Sequence, residues 1–177
     1  MMHYCLFETA IGTCGLAWKG AAVTRLQLPE TDPDATARRV ARSAEPGEPP
    51  PAIAVVISDL QRYFSGDRVD LTDIALDLSG VAAFHLQVYQ AARTIGWGRT
   101  ETYGGLARRL GAPDAARAVG QALGRNPVPI IVPCHRVVAA GRTIGGFSAA
   151  GGAVTKARLL ALEGIPTDFG APRLPGL

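Results

Sequence analysis

The sequence predicts two small domains in one chain: an α/β unit on a small antiparallel sheet, then a mostly helical unit containing a helix-turn-helix. Three observations lead there. The first thirty residues break into short apolar stretches separated by glycine-containing turns, as a meander requires. The second half shows apolar spacings of three and four instead, with two helical segments split by Gly111-Ala112-Pro113. Charge also changes between them: residues 1–83 carry 7 Lys/Arg against 11 Asp/Glu, and residues 84–177 carry 11 against 4.

Taken in order, His3 to Phe7, Gly15 to Trp18 and Val23 to Leu28 are apolar-rich strands, divided by Gly12-Thr13 and Lys19-Gly20. Asp34 to Ala44 is a polar helix. Residues 43–51 hold four prolines and read as a loop, because proline removes backbone donors. Ala52, Val55, Val56, Leu60, Tyr63 and Phe64 then form the buried face of a helix that Ser65-Gly66-Asp67 ends. The acidic stretch to Asp77 is a strand or two. Ser79-Gly80 marks the junction, giving domains over 1–79 and 84–165 and a Pro/Gly-rich tail over 166–177.

In the second half, Phe84, Val88, Ala91, Ala92 and Ile95 make one helix face, ending near Gly96. Thr102 is an N-cap for a helix over Tyr103 to Leu110. Gly104 and Gly105 in its first turn each cost about 1 kcal/mol relative to Ala, which points to a close approach there. Asp114 to Leu123 is the third helix, with Asp114 in its first turn.

Composition excludes several classes. With 47% hydrophobic and 19% charged residues the chain is globular. No apolar run approaches the eighteen or so residues a membrane helix needs, so no membrane partner is expected. Glu8 interrupts the only candidate for a signal-peptide core, and three unevenly spaced cysteines make no disulfide framework, so a cytoplasmic location is expected. Ten of the eleven cations in the second half are Arg, whose planar fork suits phosphates. His3, Cys5 and Cys14 invite a zinc reading, but no fourth ligand has recognisable spacing; no metal is expected, and the two cysteines read as small hydrophobes in strands.

The segment from Asn126 to Val138 carries the chemistry. Three prolines alternate with apolar residues, so the chain is expected to be extended and buried, and not helical. It delivers Cys134 after Pro133 and beside His135. A thiol is a good nucleophile only as thiolate, and a neighbouring base supplies that state. A buried His135 needs an orienting acceptor, for which Glu163 in the last helix is the best carboxylate.

Pro133-Cys134-His135-Arg136-Val137, preceded by Asn126-Pro127, resembles the active site of the O6-alkylguanine-DNA alkyltransferases, the methylated-DNA–protein-cysteine methyltransferases. Tyr103-Gly104-Gly105-Leu106-Ala107 resembles the family's Tyr-x-x-Leu-Ala helix, and Ala116-Arg117-Ala118-Val119-Gly120 its recognition helix. Gly145-Gly146-Phe147-Ser148 and 156–164 resemble its C-terminal loop and helix. The match is strong in the C-terminal half and weak in the N-terminal half.

The resemblance implies a ribonuclease-H-like first domain and a winged-helix-like second. It implies a monomer that binds double-stranded DNA through the minor groove and flips out an alkylated guanine. One alkyl group then moves irreversibly to Cys134 from O6-alkylguanine, and possibly from O4-alkylthymine, with no cofactor. His135 takes the thiol proton through a water, Glu163 polarises His135, and Tyr103 donates to a ring nitrogen. Arg117 fills the vacated stack, while Ala116, Ala118 and Gly120 let the helix approach and Arg125 contacts DNA. Arg99, Arg108 and Arg109 are further phosphate candidates. Asn126 ties the turn to the active-site segment; Pro129, Val137, Phe147 and Ser148 line the base pocket; Arg136 pairs internally. Phe147 departs from the usual Tyr, Gly96 from a frequent Pro, and the 148–153 loop is about two residues longer than common. Two other classes compete, with a transcription factor ranked below them because the sequence shows no methylphosphotriester-sensing module. A non-catalytic lesion binder would lack Cys134, and a Cys-His-Glu hydrolase would leave the helix-turn-helix without a use.

Overall fold

The structure is a computed structural model and describes residues 1–141 and 143–166. Most of the expected tail therefore lies outside the described residues. Contacts divide the chain into two compact units: Met1–Ala82 with Asn126–Val132, and Ala83–Arg125 with the chain from Pro133 on. The division differs from a simple cut at Ser79-Gly80, because seven residues expected in the second domain pack with the first.

In the first unit, β1 (His3–Thr9), β2 (Gly12–Lys19) and β3 (Ala22–Gln27) form an antiparallel meander. Cys14 to Trp18 are buried without a break, so the middle of β2 is covered on both faces. Helix α1 (Pro33–Ala41) is capped by the Asp32 carboxylate, which accepts from the Ala35 amide at 2.7 Å. It lies so close to β2 that a Cβ at Gly15 would meet Val40 at 2.7 Å, which is why a glycine stands mid-strand.

Three expectations are corrected here. Glu45–Pro46, read as loop, is a short strand β4 parallel to β1, making the sheet order β3-β2-β1-β4. Glu45 and Gly47 donate to the carbonyls of Met2 and Tyr4, and Pro46 falls between them where the ladder needs no donor. In α2 (Pro51–Phe64) the buried face is Ile53, Val56, Leu60, Tyr63 and Phe64; Val55 is 60% exposed and Ala52 is exposed too. The helix begins one residue before Ala52, and the stripe that fits its sheet starts at Ile53. The acidic stretch to Asp77 forms no strand of its own but a single bridge, Val23 with Leu76, along the outer edge of β3.

Pro127 covers the same edge, its carbonyl accepting from the Leu26 amide at 2.9 Å. An edge strand left open is a template for aggregation, and two irregular segments close this one. The Asn126–Val132 segment is buried as expected, but not extended. Val132 donates back to the Val128 carbonyl at 2.9 Å, and Ile130 sits at φ 73°. The prolines forbid a helix but not a compact turn.

The second unit contains α3 (Ala83–Arg93), β5 (Glu101–Thr102), α4 (Tyr103–Arg109), α5 (Ala116–Gly124), a 3-10 turn at Cys134–Arg136, β6 (Val137–Val138) and α6 (Gly152–Leu162). Helix α3 buries Val88, Tyr89 and Ala92, and the Tyr89 hydroxyl donates to the Ala122 carbonyl at 2.8 Å, tying it to α5. Helix α5 starts at Ala116, not Asp114, and Asp114 caps nothing: residue Ala115 is the N-cap without a side-chain bond. Among the described residues no helix is long and apolar enough to cross a membrane.

Candidate active site

Cys134 opens the 3-10 turn and is 7% exposed, at the wall of a cavity of about 810 Å³ within the second unit. The turn corrects the expectation of a non-helical stretch, and it has a consequence. A tight turn separates consecutive side chains, so Cys134 faces the cavity while His135 is fully buried.

His135 Nε2 lies 2.7 Å from Glu163 Oε1. A carboxylate only accepts, so Nε2 carries the proton and Nδ1 is the basic nitrogen. Burial lowers the imidazole pKa, against the opposing pull of Glu163, and the positive charges of Arg136 and Lys156 lower it further. The ring is thus neutral near pH 7 and able to accept a proton. Glu163 caps α6 and also accepts from Arg136 through Nε at 2.9 Å and Nη2 at 2.9 Å. Burial pushes this carboxyl up, but His135 and Arg136 outweigh it and hold it at about 2. Arg136 spends its remaining nitrogen on the Ile95 carbonyl at 2.6 Å, so its guanidinium pairs internally as expected.

Tyr103 is the first residue of α4, held by the Thr102 cap, whose hydroxyl accepts from the Gly105 amide at 2.9 Å. A Cβ at Gly105 would meet Thr102 Oγ1 at 3.1 Å and Glu101 Oε1 at 3.2 Å, which explains one of the two early glycines. The short parallel pairing of β5 with β6, Glu101 with Val137 and Thr102 with Val138, carries the cap to the strand that follows the Cys134 turn. Burial, then the charge of a thiolate at Cys134, raises the Tyr103 pKa, so the phenol stays protonated.

Helix α5 contributes Ala116, Arg117, Gly120, Gln121, Leu123 and Gly124 to the cavity wall, with Arg117 exposed. Phe147 and Ser148 line it as well. Ala118 does not, being on another face of α5, and Arg125 is an exposed residue at the helix end. Val137 is fully buried with its carbonyl accepting from Lys156, and Pro129 lies in the segment that packs in the first unit; neither lines this cavity. Arg109, a phosphate candidate, is already engaged with Glu101 and with Thr94 Oγ1 at 2.6 Å. Helix α6 begins at Gly152, so the last two residues of the 148–153 stretch belong to its first turn. Asn126 closes the turn in the first unit: Nδ2 donates to the Val132 carbonyl at 2.8 Å and Oδ1 accepts from the Val128 amide at 3.0 Å.

A family model, 6-O-methylguanine DNA methyltransferase, DNA binding domain, matches residues 83–165. The chain is 42% identical over 163 residues to the methylated-DNA–protein-cysteine methyltransferase of Mycobacterium leprae, covering 92% of this chain and 93% of that one. The chain belongs to the O6-methylguanine-DNA methyltransferase family. Among solved members, the Mycobacterium tuberculosis OGT in complex with DNA superposes with a TM-score of 0.75 at 38% identity, covering 94% of this chain and 96% of that one. The methyltransferase of the archaeon Pyrococcus kodakaraensis superposes at 0.71 with 25% identity, over 93% and 100% of the two chains.

One residue of this methyltransferase fold escaped the sequence reading. Lys156, read only as part of a motif, is fully buried, and its ammonium donates to the Val137 carbonyl at 2.6 Å, the Gly146 carbonyl at 3.2 Å and the Tyr103 hydroxyl at 3.3 Å. Burial pulls it down to about 8, against the pull of a thiolate at Cys134. A signal existed: Lys156, Leu159, Leu160 and Glu163 fall at spacings of three, four and seven, one helix face, and all four are buried. Among the described residues no three His, Cys, Asp or Glu side chains cluster as a metal site, and Cys14 is a buried thiol pushed to about 12, chiefly by desolvation.

Proposed function

We propose that this protein repairs DNA by direct reversal, moving one methyl or other alkyl group from O6-alkylguanine in duplex DNA to Cys134. The observation that carries this is Cys134 at the cavity wall, followed by a neutral His135 paired with Glu163, in the unit that matches the family's DNA-binding domain. Relatives sharing most of the chain are named for this activity, and one is solved with DNA.

The thiol proton passes to His135 Nδ1 through a bridging water. Glu163 and the hydrogen bond to Nε2 stabilise the imidazolium that forms. The thiolate attacks the alkyl carbon; the S–C bond forms as the C–O bond breaks, and its electron pair enters the guanine ring. Tyr103 donates to a ring nitrogen and so makes guanine a better leaving group. The thioether product is stable, so each protein acts once. Cys134, His135, Glu163 and Tyr103 form the reacting set; Asn126 fixes the turn before Cys134.

Duplex DNA buries the target oxygen, so the nucleotide is flipped out and Arg117 enters the stack. Ala116 and Gly120 let α5 approach a narrow minor groove, with Arg125 at the end of the helix near phosphate. On this reading the protein works as a cytoplasmic monomer on O6-alkylguanine, with O4-alkylthymine as a further substrate to test, its two units being ribonuclease-H-like and winged-helix-like. Intact mass after incubation with a duplex carrying one methylated guanine tests the reading. One added methyl, mapped to Cys134, saturating at one equivalent and absent from Cys134→Ser, is the expected result. An unchanged mass with repeated turnover of an ester or amide would replace it with a hydrolase.

A further inference from the structure

Helix α5 presents six residues to the cavity, and only two have long polar side chains, Arg117 and Gln121. They are four positions apart, so they lie on one side of the helix, about 6 Å apart along its axis. The others are Ala116, Gly120, Gly124 and the 5% exposed Leu123, none of which can form a side-chain hydrogen bond. Gln121 is exposed, and among the described residues its side-chain amide has no hydrogen-bond partner. The mechanism gives it no role.

A carboxamide both donates and accepts. In the minor groove every base pair offers acceptors, but only G·C adds a donor, the guanine N2 amino group. A Gln side chain there satisfies both of its groups against G·C and only one against A·T. With base pairs stacked 3.4 Å apart, 6 Å of helix corresponds to roughly two steps. We propose that Gln121 is a specificity-determining residue that reads a base pair within two steps of the lesion and favours G·C there. This rests on α5 being the minor-groove helix.

The experiment is single-turnover alkyl transfer from duplexes carrying one methylated guanine, with G·C, A·T or inosine·C at each position within two steps on either side. Inosine lacks only the N2 amino group. The expected result is one position at which G·C raises transfer about three- to tenfold over A·T, the worth of one hydrogen bond, with inosine·C behaving as A·T. Gln121→Leu is expected to bring the three flanks to one rate. Equal rates for G·C and inosine·C at every position, or a preference that survives in Gln121→Leu, overturns the proposal. Arg117→Ala separates the two levels of the argument. If it slows transfer while the flanks are equal, α5 is the DNA helix and Gln121 does not read. If it has no effect, the placement of α5 fails and the proposal with it. The inosine comparison uses the wild-type chain, so equal rates there overturn the proposal even if a variant does not fold, and Gln121→Asn, a shorter carboxamide, then serves as the second variant for a positive result.

Discussion

Glu163 and Lys156 are both buried charges on the same face of the C-terminal segment, and their surroundings differ in kind. Glu163 is matched by charge, with Arg136 on both of its oxygens and His135 on one. Among the described residues Lys156 hydrogen-bonds only to neutral oxygens, two carbonyls and the Tyr103 hydroxyl. Their pKa values follow: the carboxyl is held at about 2, far from neutrality, and the ammonium falls to about 8, close to it. A buried charge with a countercharge is fixed, whereas one with dipoles alone is left near its titration point. The first cluster is thus a support, and the second can be adjusted by pH.

The largest effect expected from breaking this contrast is at Glu163. Glu163→Ala leaves the Arg136 guanidinium buried without its countercharge, a loss of about 3–5 kcal/mol. Thermal or urea unfolding should show it, and a variant as stable as wild type would show that the pair does not support the fold. Acid gives the same information without mutation. The folded pKa of Glu163 lies below its unfolded value near 4.5, so its contribution is complete above that value and is lost as pH falls from 4.5 toward 2.

Lys156→Met should act on rate more than on stability. The loss of the ammonium removes a desolvation cost but leaves two carbonyls short of a donor, so the melting temperature should move by only about 2–4 °C. Transfer to Cys134 should slow about tenfold below pH 7, equivalent to about 1.4 kcal/mol of lost charge stabilisation of the thiolate. The ratio of wild-type to variant rate should fall through pH 8 and approach one above pH 9, because wild-type Lys156 is then neutral too. A ratio flat with pH would mean that the side chain acts by packing alone. Stability has its own sign here. The folded chain binds fewer protons than the unfolded one between pH 8 and 10.5, so wild type should gain stability across that window and Lys156→Met should not.

The same contrast marks what the sequence could disclose. Cys134, His135 and Glu163 were legible because their chemistry needs those residue types, and the strands of the first unit because alternation and glycine turns announce them. Lys156 was hidden because a lysine in a helix is ordinarily solvated, and only its register with Leu159 and Leu160 gave it away. The Asn126–Val132 turn was hidden for another reason. Prolines exclude a helix, but whether the chain then extends or folds back depends on its partners, here the Leu26 amide and the Asn126 side chain. Val55 and Ile53 differ in burial only through the exact helix start, which apolar spacing does not reveal.

A smaller effect is expected at Gly145, which holds φ 77° and would place a Cβ 3.0 Å from the Tyr103 hydroxyl. Gly145→Ala should cost about 1–2 kcal/mol of backbone strain and displace the phenol that Lys156 contacts. Lower transfer with an unaltered acid transition would place the damage in the Lys156 cluster alone.

The smallest effect expected, and the most selective, is at Thr102. Its hydroxyl caps α4 through the Gly105 amide and so fixes the turn that carries Tyr103. Thr102→Ala should cost about 1 kcal/mol, a fall of about 2–4 °C in melting temperature. Tyr103 would then start from a frayed turn, and transfer should slow by less than about threefold, since Lys156 still holds the hydroxyl from the other side. Combining Thr102→Ala with Lys156→Met tests that compensation directly. Two groups that hold one phenol should not be independent, so the double variant should lose more transfer activity than the product of the single losses. Rates that simply multiply would mean that Tyr103 is positioned by its helix alone and that the ammonium serves the thiolate alone.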